Sequence, residues 1–142
     1  MRVLLPILTL FLLIACSKEP FSYEDGRLFY KKDRAFGVVF VMQNCASCTT
    51  LLQNINKAMT KKSFDFVAIS LLDEDLQALK KSKNINFPLL ANSKTIEKAI
   101  GTPKAAPFTI FFDKNGEVFF KKYGTIDEEK LLDIITTLTK SK

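Results

Sequence analysis

Histidine is missing from this 142-residue chain. Its absence removes imidazole acid/base chemistry, Ser–His and Cys–His nucleophile pairs, and every imidazole metal ligand. Tryptophan is missing too, and glycine and proline occur only 5 times each. No internal repeat or low-complexity tract is visible. The longest apolar run, residues 3–15, is too short to cross a bilayer core, which takes about 20 residues. No basic run is interleaved with aromatics, so nucleic acid is not indicated as a partner. Cysteine is scarce: Cys16, Cys45 and Cys48 are the whole supply. Whatever chemistry the protein performs falls to those thiols, or to carboxylates, lysines and tyrosines.

What is present supports one packed domain. Hydrophobic residues make up 47% of the chain, 13 of them Phe, which is too much for a disordered sequence. The net charge is +6, with much of the excess in lysine pairs at 31–32, 61–62, 80–81 and 121–122. Scattered pairs of this kind read as a solvated face. Attraction to anionic lipid or to an acidic partner is the sharper alternative.

Met1-Arg2 followed by the apolar run, broken only by Pro6 and Thr9, has the form of a secretory signal peptide. Its end, Leu13-Ile14-Ala15-Cys16, resembles a bacterial lipobox. The resemblance implies a signal peptide over 1–15, cleavage before Cys16, and acylation of that cysteine. Several acyl chains anchor durably where one is marginal. Residues 16–26 then form the lipidated N-terminus and a short polar tether, and residues 27–142 the folded domain. On this reading the protein is held to a lipid bilayer in a bacterial cell envelope, with its domain in the periplasm or otherwise outside the cytoplasmic membrane. The alternative is an ordinary signal peptide with a chance cysteine nearby.

Residues 27–30 are a candidate short strand. Residues 36–42 are apolar and largely β-branched, the mark of a strand buried on both faces. From Cys45 to about Lys61, Leu51, Leu52, Ile55 and Met59 recur at helical spacing, with Asn44 as the expected N-cap. A second strand over 64–69 completes a βαβ unit, which closes right-handed with parallel strands. Asp73-Glu74-Asp75 opens a further helix with Leu76, Leu79 and Leu72 as candidate inward residues. A short strand or irregular piece follows at 87–90, then a helix at 94–100 ended by Gly101. The strands 107–112 and 117–120 flank Asp113-Lys114-Asn115-Gly116, a hairpin signal. Thr125 and Glu128 have capping-box spacing ahead of a last helix carrying Leu131, Leu132, Ile135 and Leu138. The fold class is α/β, a mixed central sheet with helices on both faces.

Cys45-Ala46-Ser47-Cys48 sits where the buried strand feeds the helix. A structural zinc site needs four ligands, and two thiols without histidine cannot supply them. A purely structural disulfide remains open, but so small a loop constrains the unfolded chain little. A redox dithiol fits the position best. Cys45 at the helix entry meets unpaired N–H groups and the positive dipole end, which favour the reactive thiolate. Cys48, one turn on, is expected to lie more deeply buried and to resolve the mixed disulfide that Cys45 forms.

With these residues the chain resembles the thioredoxin superfamily over about 34–139, and within it the exported thiol-disulfide oxidoreductases of the TlpA/ResA type. Residues 67–75 and 85–90 resemble that branch's helical insertion, and 104–116 its cis-proline strand and hairpin. The resemblance implies a cis peptide bond from Ala106 to Pro107, with Ala106 and Pro107 binding an extended substrate strand. It implies catalysis by Cys45 and Cys48 without cofactor or metal. The expected partners are a cysteine-containing exported client and a membrane thiol donor. The expected direction is reduction of client disulfides, as in cytochrome c maturation.

The sequence departs from the family pattern at three places. Asn44 replaces the aromatic before the first cysteine, Val39 the buried acid six residues before it, and Leu51 the Glu that some members carry three residues after the second. No general base for Cys48 is identified. Three rival functions stay open: the same fold as an oxidase or isomerase, a non-catalytic binding lipoprotein with an inert disulfide, and a Cu(I) carrier using two thiolates.

Overall fold

A computed structural model describes residues 33–140. The expected signal peptide and tether, Cys16 and the candidate strand at 27–30 lie outside the described residues. The elements run β1 (Phe36–Val41), α1 (Ala46–Lys61), β2 (Asp65–Ser70), α2 (Leu76–Ser82), β3 (Leu89–Ala91), α3 (Lys94–Ile100), β4 (Phe108–Phe112), β5 (Val118–Tyr123) and α4 (Glu128–Lys140).

The five strands form one mixed sheet in the order β3-β2-β1-β4-β5. β1 pairs parallel with β2 and antiparallel with β4, so it is central and buried along its whole length. Its alternating side chains feed two separate cores. Val39 and Val41 join α1, α2 and α4 on one face, through Leu51, Leu52, Ile55, Leu79, Leu131, Ile135 and Phe111. Phe36, Val38 and Phe40 join Val67, Ile69, Ile110 and Ile96 of α3 on the other. Helices therefore cover both faces, as the element order requires. Gly37 is where the first face becomes tight: a Cβ there would meet Phe66 Cε1 at 2.4 Å.

Several boundaries differ from the sequence reading, each for a local reason. α1 is capped by Cys45, not Asn44, because the Cys45 side chain accepts from the Cys48 N–H. The acids 73–75 precede α2, and Asp75 caps it by accepting from the N–H groups of Gln77 and Ala78. Leu72 stands in the turn before that cap and is 54% exposed, so it does not face inward. α4 is capped by Asp127, whose Oδ1 accepts from the Lys130 N–H, and Thr125 is not the cap. The hairpin closes as expected: Asp113 Oδ1 takes the N–H groups of Asn115 and Glu117, and Gly116 has φ 79°. Phe111, Phe112 and Phe120 pack, whereas Phe119 points outward from the edge strand β5.

Candidate active site

The end of β1 and the start of α1 hold Cys45 and Cys48, joined in a disulfide with Cα atoms 5.2 Å apart. Cys45 is the more accessible of the two at 8% exposed, and Cys48 is fully buried at 0%. Ala46 and Ser47 between them are exposed. That Cys48 is the more deeply buried of the two is what the spacing leads one to expect.

Cys45 occupies the cap itself, one position earlier than the sequence spacing suggested. Its Sγ accepts from the Cys48 N–H at 3.1 Å, and Ser47 Oγ lies 3.8 Å away. An N-cap side chain normally satisfies the orphan N–H groups of the first turn with oxygen. Here a sulfur does so, and a sulfur so placed is favoured as thiolate when the bridge opens.

The segment between β2 and β3 secures this loop from one side. Lys83 Nζ donates to the Cys45 carbonyl at 3.0 Å and to Thr49 Oγ1 at 2.8 Å. Glu74 takes the Gln43 N–H on its two oxygens, at 3.0 and 3.2 Å. Ser82 Oγ donates to Gln43 Oε1 at 3.1 Å. An ammonium and a carboxylate from one segment thus fix the residues on which the dithiol is mounted. Sequence reasoning missed these contacts, because Lys83 lies 38 positions from Cys45 and Glu74 lies 31 from Gln43.

From the other side comes the loop before β4. The Ala106–Pro107 peptide bond is cis, as expected, and Pro107 is buried. Ala106 packs against the cluster that contains Cys45 and Cys48. The Gly124 N–H donates to the Pro107 carbonyl at 2.9 Å, and Tyr123 Oη accepts from the Lys104 N–H at 3.2 Å. Nothing in the sequence pointed to this partner for Tyr123. The β1–β4 ladder pairs Phe40 with Phe108, which sets Ala106 and Pro107 at the end of β1 that leads to Cys45 and Cys48. Among the described residues no group of three or more metal-ligating side chains occurs, and no helix is long and apolar enough to cross a membrane.

A bridge at a helix entry, beside a cis-proline loop on a five-stranded mixed sheet, defines the thiol-disulfide oxidoreductase type of site. The chain belongs to the thioredoxin-like domain family, whose model matches residues 27–139, and it has the thioredoxin fold. Its fold is similar to that of a thiol:disulfide interchange protein of the thioredoxin family from Chlorobium tepidum, at 19% identity and TM-score 0.62, covering 75% of this chain and 81% of that one. It is similar also to StoA from Bacillus subtilis, at 19% identity and TM-score 0.61, with 72% and 83% covered. A secreted disulfide oxidoreductase from Mycobacterium tuberculosis matches at 16% identity and TM-score 0.63, with 75% and 84% covered. No curated protein sequence gives a significant match.

Proposed function

We propose that this protein is a lipid-anchored thiol-disulfide oxidoreductase of a bacterial cell envelope that reduces disulfides in exported proteins, as in cytochrome c maturation. The observation that carries the reading is the Cys45–Cys48 bridge at the start of α1, with the less buried sulfur held on a helix N–H. The Cys45 thiolate attacks a client disulfide. A Cys45–client bond forms, and the displaced client sulfur leaves as thiolate. The Cys48 thiolate then attacks Cys45 Sγ, closing the bridge and releasing the second client sulfur. Two electrons and two protons from a membrane thiol donor reset the pair. The client lies as an extended strand along Ala106 and Pro107.

Support for the branch and the location comes from several features. The added α2–β3 segment between β2 and α3 supports a TlpA/ResA-like insertion. Residues 1–16 support export and anchoring through acylated Cys16, ahead of a tether over 16–26 and a domain over 27–142. That one of the similar folds is a secreted disulfide oxidoreductase supports export.

A second reading, thiol oxidase, is favoured by the donors around Cys45. Whatever stabilises a thiolate stabilises the reduced pair and makes its disulfide more oxidising. The in-cell redox state separates the two, read by acid quench and a maleimide gel shift. A pair kept mostly reduced in an oxidising compartment supports the reductase. A pair mostly oxidised yet exchanging with thiol buffer supports the oxidase. One that is oxidised and inert overturns both.

A further inference from the structure

Among the described residues only two polar side chains are fully buried, Ser70 and Thr109. The Ser70 hydroxyl donates to the Leu72 carbonyl at 2.8 Å and lies 3.2 Å from Glu74 Oε2. Thr109 Oγ1 has no hydrogen-bond partner in this oxidised state. Buried hydroxyls are rarely left so, and an exception calls for a physical reason. One such reason is a partner that exists only in another state of the protein.

The position of Thr109 points to that state. Along β4, Phe108, Ile110 and Phe112 belong to the core under α3, while Phe111 belongs to the core under α1 and α4. Strand alternation puts Thr109 on the Phe111 side. It stands opposite Val39 in the β1–β4 ladder, and Val39 shares its cluster with Cys48. One same-face step toward the site lies Pro107, after Ala106, which packs on that cluster. The register thus sets the orphan hydroxyl on the sheet face that buries Cys48, two positions past Pro107. No carboxylate or ammonium among the described residues is buried there or elsewhere.

A bridged sulfur is a weak acceptor, and a free thiolate is a strong one. Reduction creates at Cys48 a sulfur that needs a donor, in a place from which water is excluded. We infer that Thr109 is a positioning residue for Cys48: its hydroxyl donates to Cys48 Sγ once the bridge opens, and it holds the thiolate that resolves the mixed disulfide. The inference rests on the redox reading above. In the resolving step the Cys48–Cys45 bond forms and the Cys45–client bond breaks. The electron pair leaves on the client sulfur, which takes a proton from water. The proton lost earlier by the Cys48 thiol passes to solvent, and Thr109 keeps its own.

The test uses the full chain, reduced and mixed with dithiobis-nitrobenzoate at a series of pH values. The first thionitrobenzoate released reports attack by Cys45, and the second reports attack by Cys48 on the resulting mixed disulfide. Thr109→Val is expected to slow the second phase about tenfold at neutral pH, the scale of one hydrogen bond to a charged sulfur, and to move its profile to higher pH. Its first phase is expected to match wild type. Thr109→Ser, which keeps the hydroxyl, is expected to stay within about twofold of wild type in both phases. If Thr109→Val does not fold, Thr109→Ala against Thr109→Ser reads the same difference. An unchanged second phase in Thr109→Val overturns the inference, as does equal slowing by Val and Ser, which would mean packing alone. A wild-type chain that gives no second phase removes the redox reading itself, and the inference with it.

Discussion

Replacing Thr109 by Val exchanges one fully buried, unpartnered hydroxyl for a methyl group of similar volume. Leaving a buried hydroxyl without a partner costs about 1–3 kcal/mol, and an apolar group of the same shape recovers most of that. The oxidised Thr109→Val protein should therefore be more stable than wild type by about 1–2 kcal/mol. For a domain of this size that corresponds to a rise in Tm of about 4–10 °C. The reduced protein should gain far less, because there the substitution also removes a bond to sulfur worth about 1 kcal/mol. The two gains close a thermodynamic cycle with the redox reaction. A difference of about 1 kcal/mol moves the equilibrium with a thiol buffer roughly fivefold toward the disulfide. Thermal unfolding by circular dichroism, run on both redox forms, measures each side. An oxidised variant melting at or below wild type would refute the reasoning, since the hydroxyl would then have had a partner to lose.

Gly37→Ala should destabilise the domain by about 1–3 kcal/mol, seen as a lower urea midpoint at unchanged slope. The new Cβ falls 2.4 Å from a Phe66 ring that Phe64, Phe87 and Phe111 hem in at centroid distances of 5.2, 5.7 and 5.6 Å. Phe111→Ala, at a fully buried position beside the Phe64 and Phe66 rings, should cost about 3–5 kcal/mol by the same measurement. Lys83→Met removes a positive charge bonded to the Cys45 carbonyl. Its half-buried setting weakens the effect to about 0.2–1 kcal/mol, so iodoacetamide should alkylate reduced Cys45 about 1.5- to 5-fold more slowly at neutral pH. An unchanged rate would mean that Lys83 serves only to dock α2.

Much of the fold was legible because its signals are local. The unbroken apolar stretch of β1, the helical spacing of Leu51, Leu52 and Ile55, and the Asp113–Gly116 turn each specify their element within a few residues. The cysteine pair at a strand-to-helix junction marked the site in the same way, and the family resemblance placed the cis bond before Pro107. What escaped depends on contacts between distant segments. Nothing near Lys83 in sequence shows that its ammonium reaches the Cys45 carbonyl 38 positions away. Thr109 reads as an ordinary strand residue until the ladder sets it opposite Val39 and the packing leaves its hydroxyl alone. The caps were misplaced by a residue or two where several polar side chains compete. Asn44 and Cys45, or Thr125 and Asp127, are separated only by which backbone turn comes first.

The central claim is that Cys45 and Cys48 form a working redox pair rather than a staple. The most direct measurement equilibrates the purified full chain with dithiothreitol or glutathione buffers of graded potential, then alkylates it and weighs the products. The account predicts a single reversible two-electron transition between bridge and dithiol while circular dichroism shows the domain still folded. A bridge that stays closed across that range and opens only when the chain unfolds would contradict it.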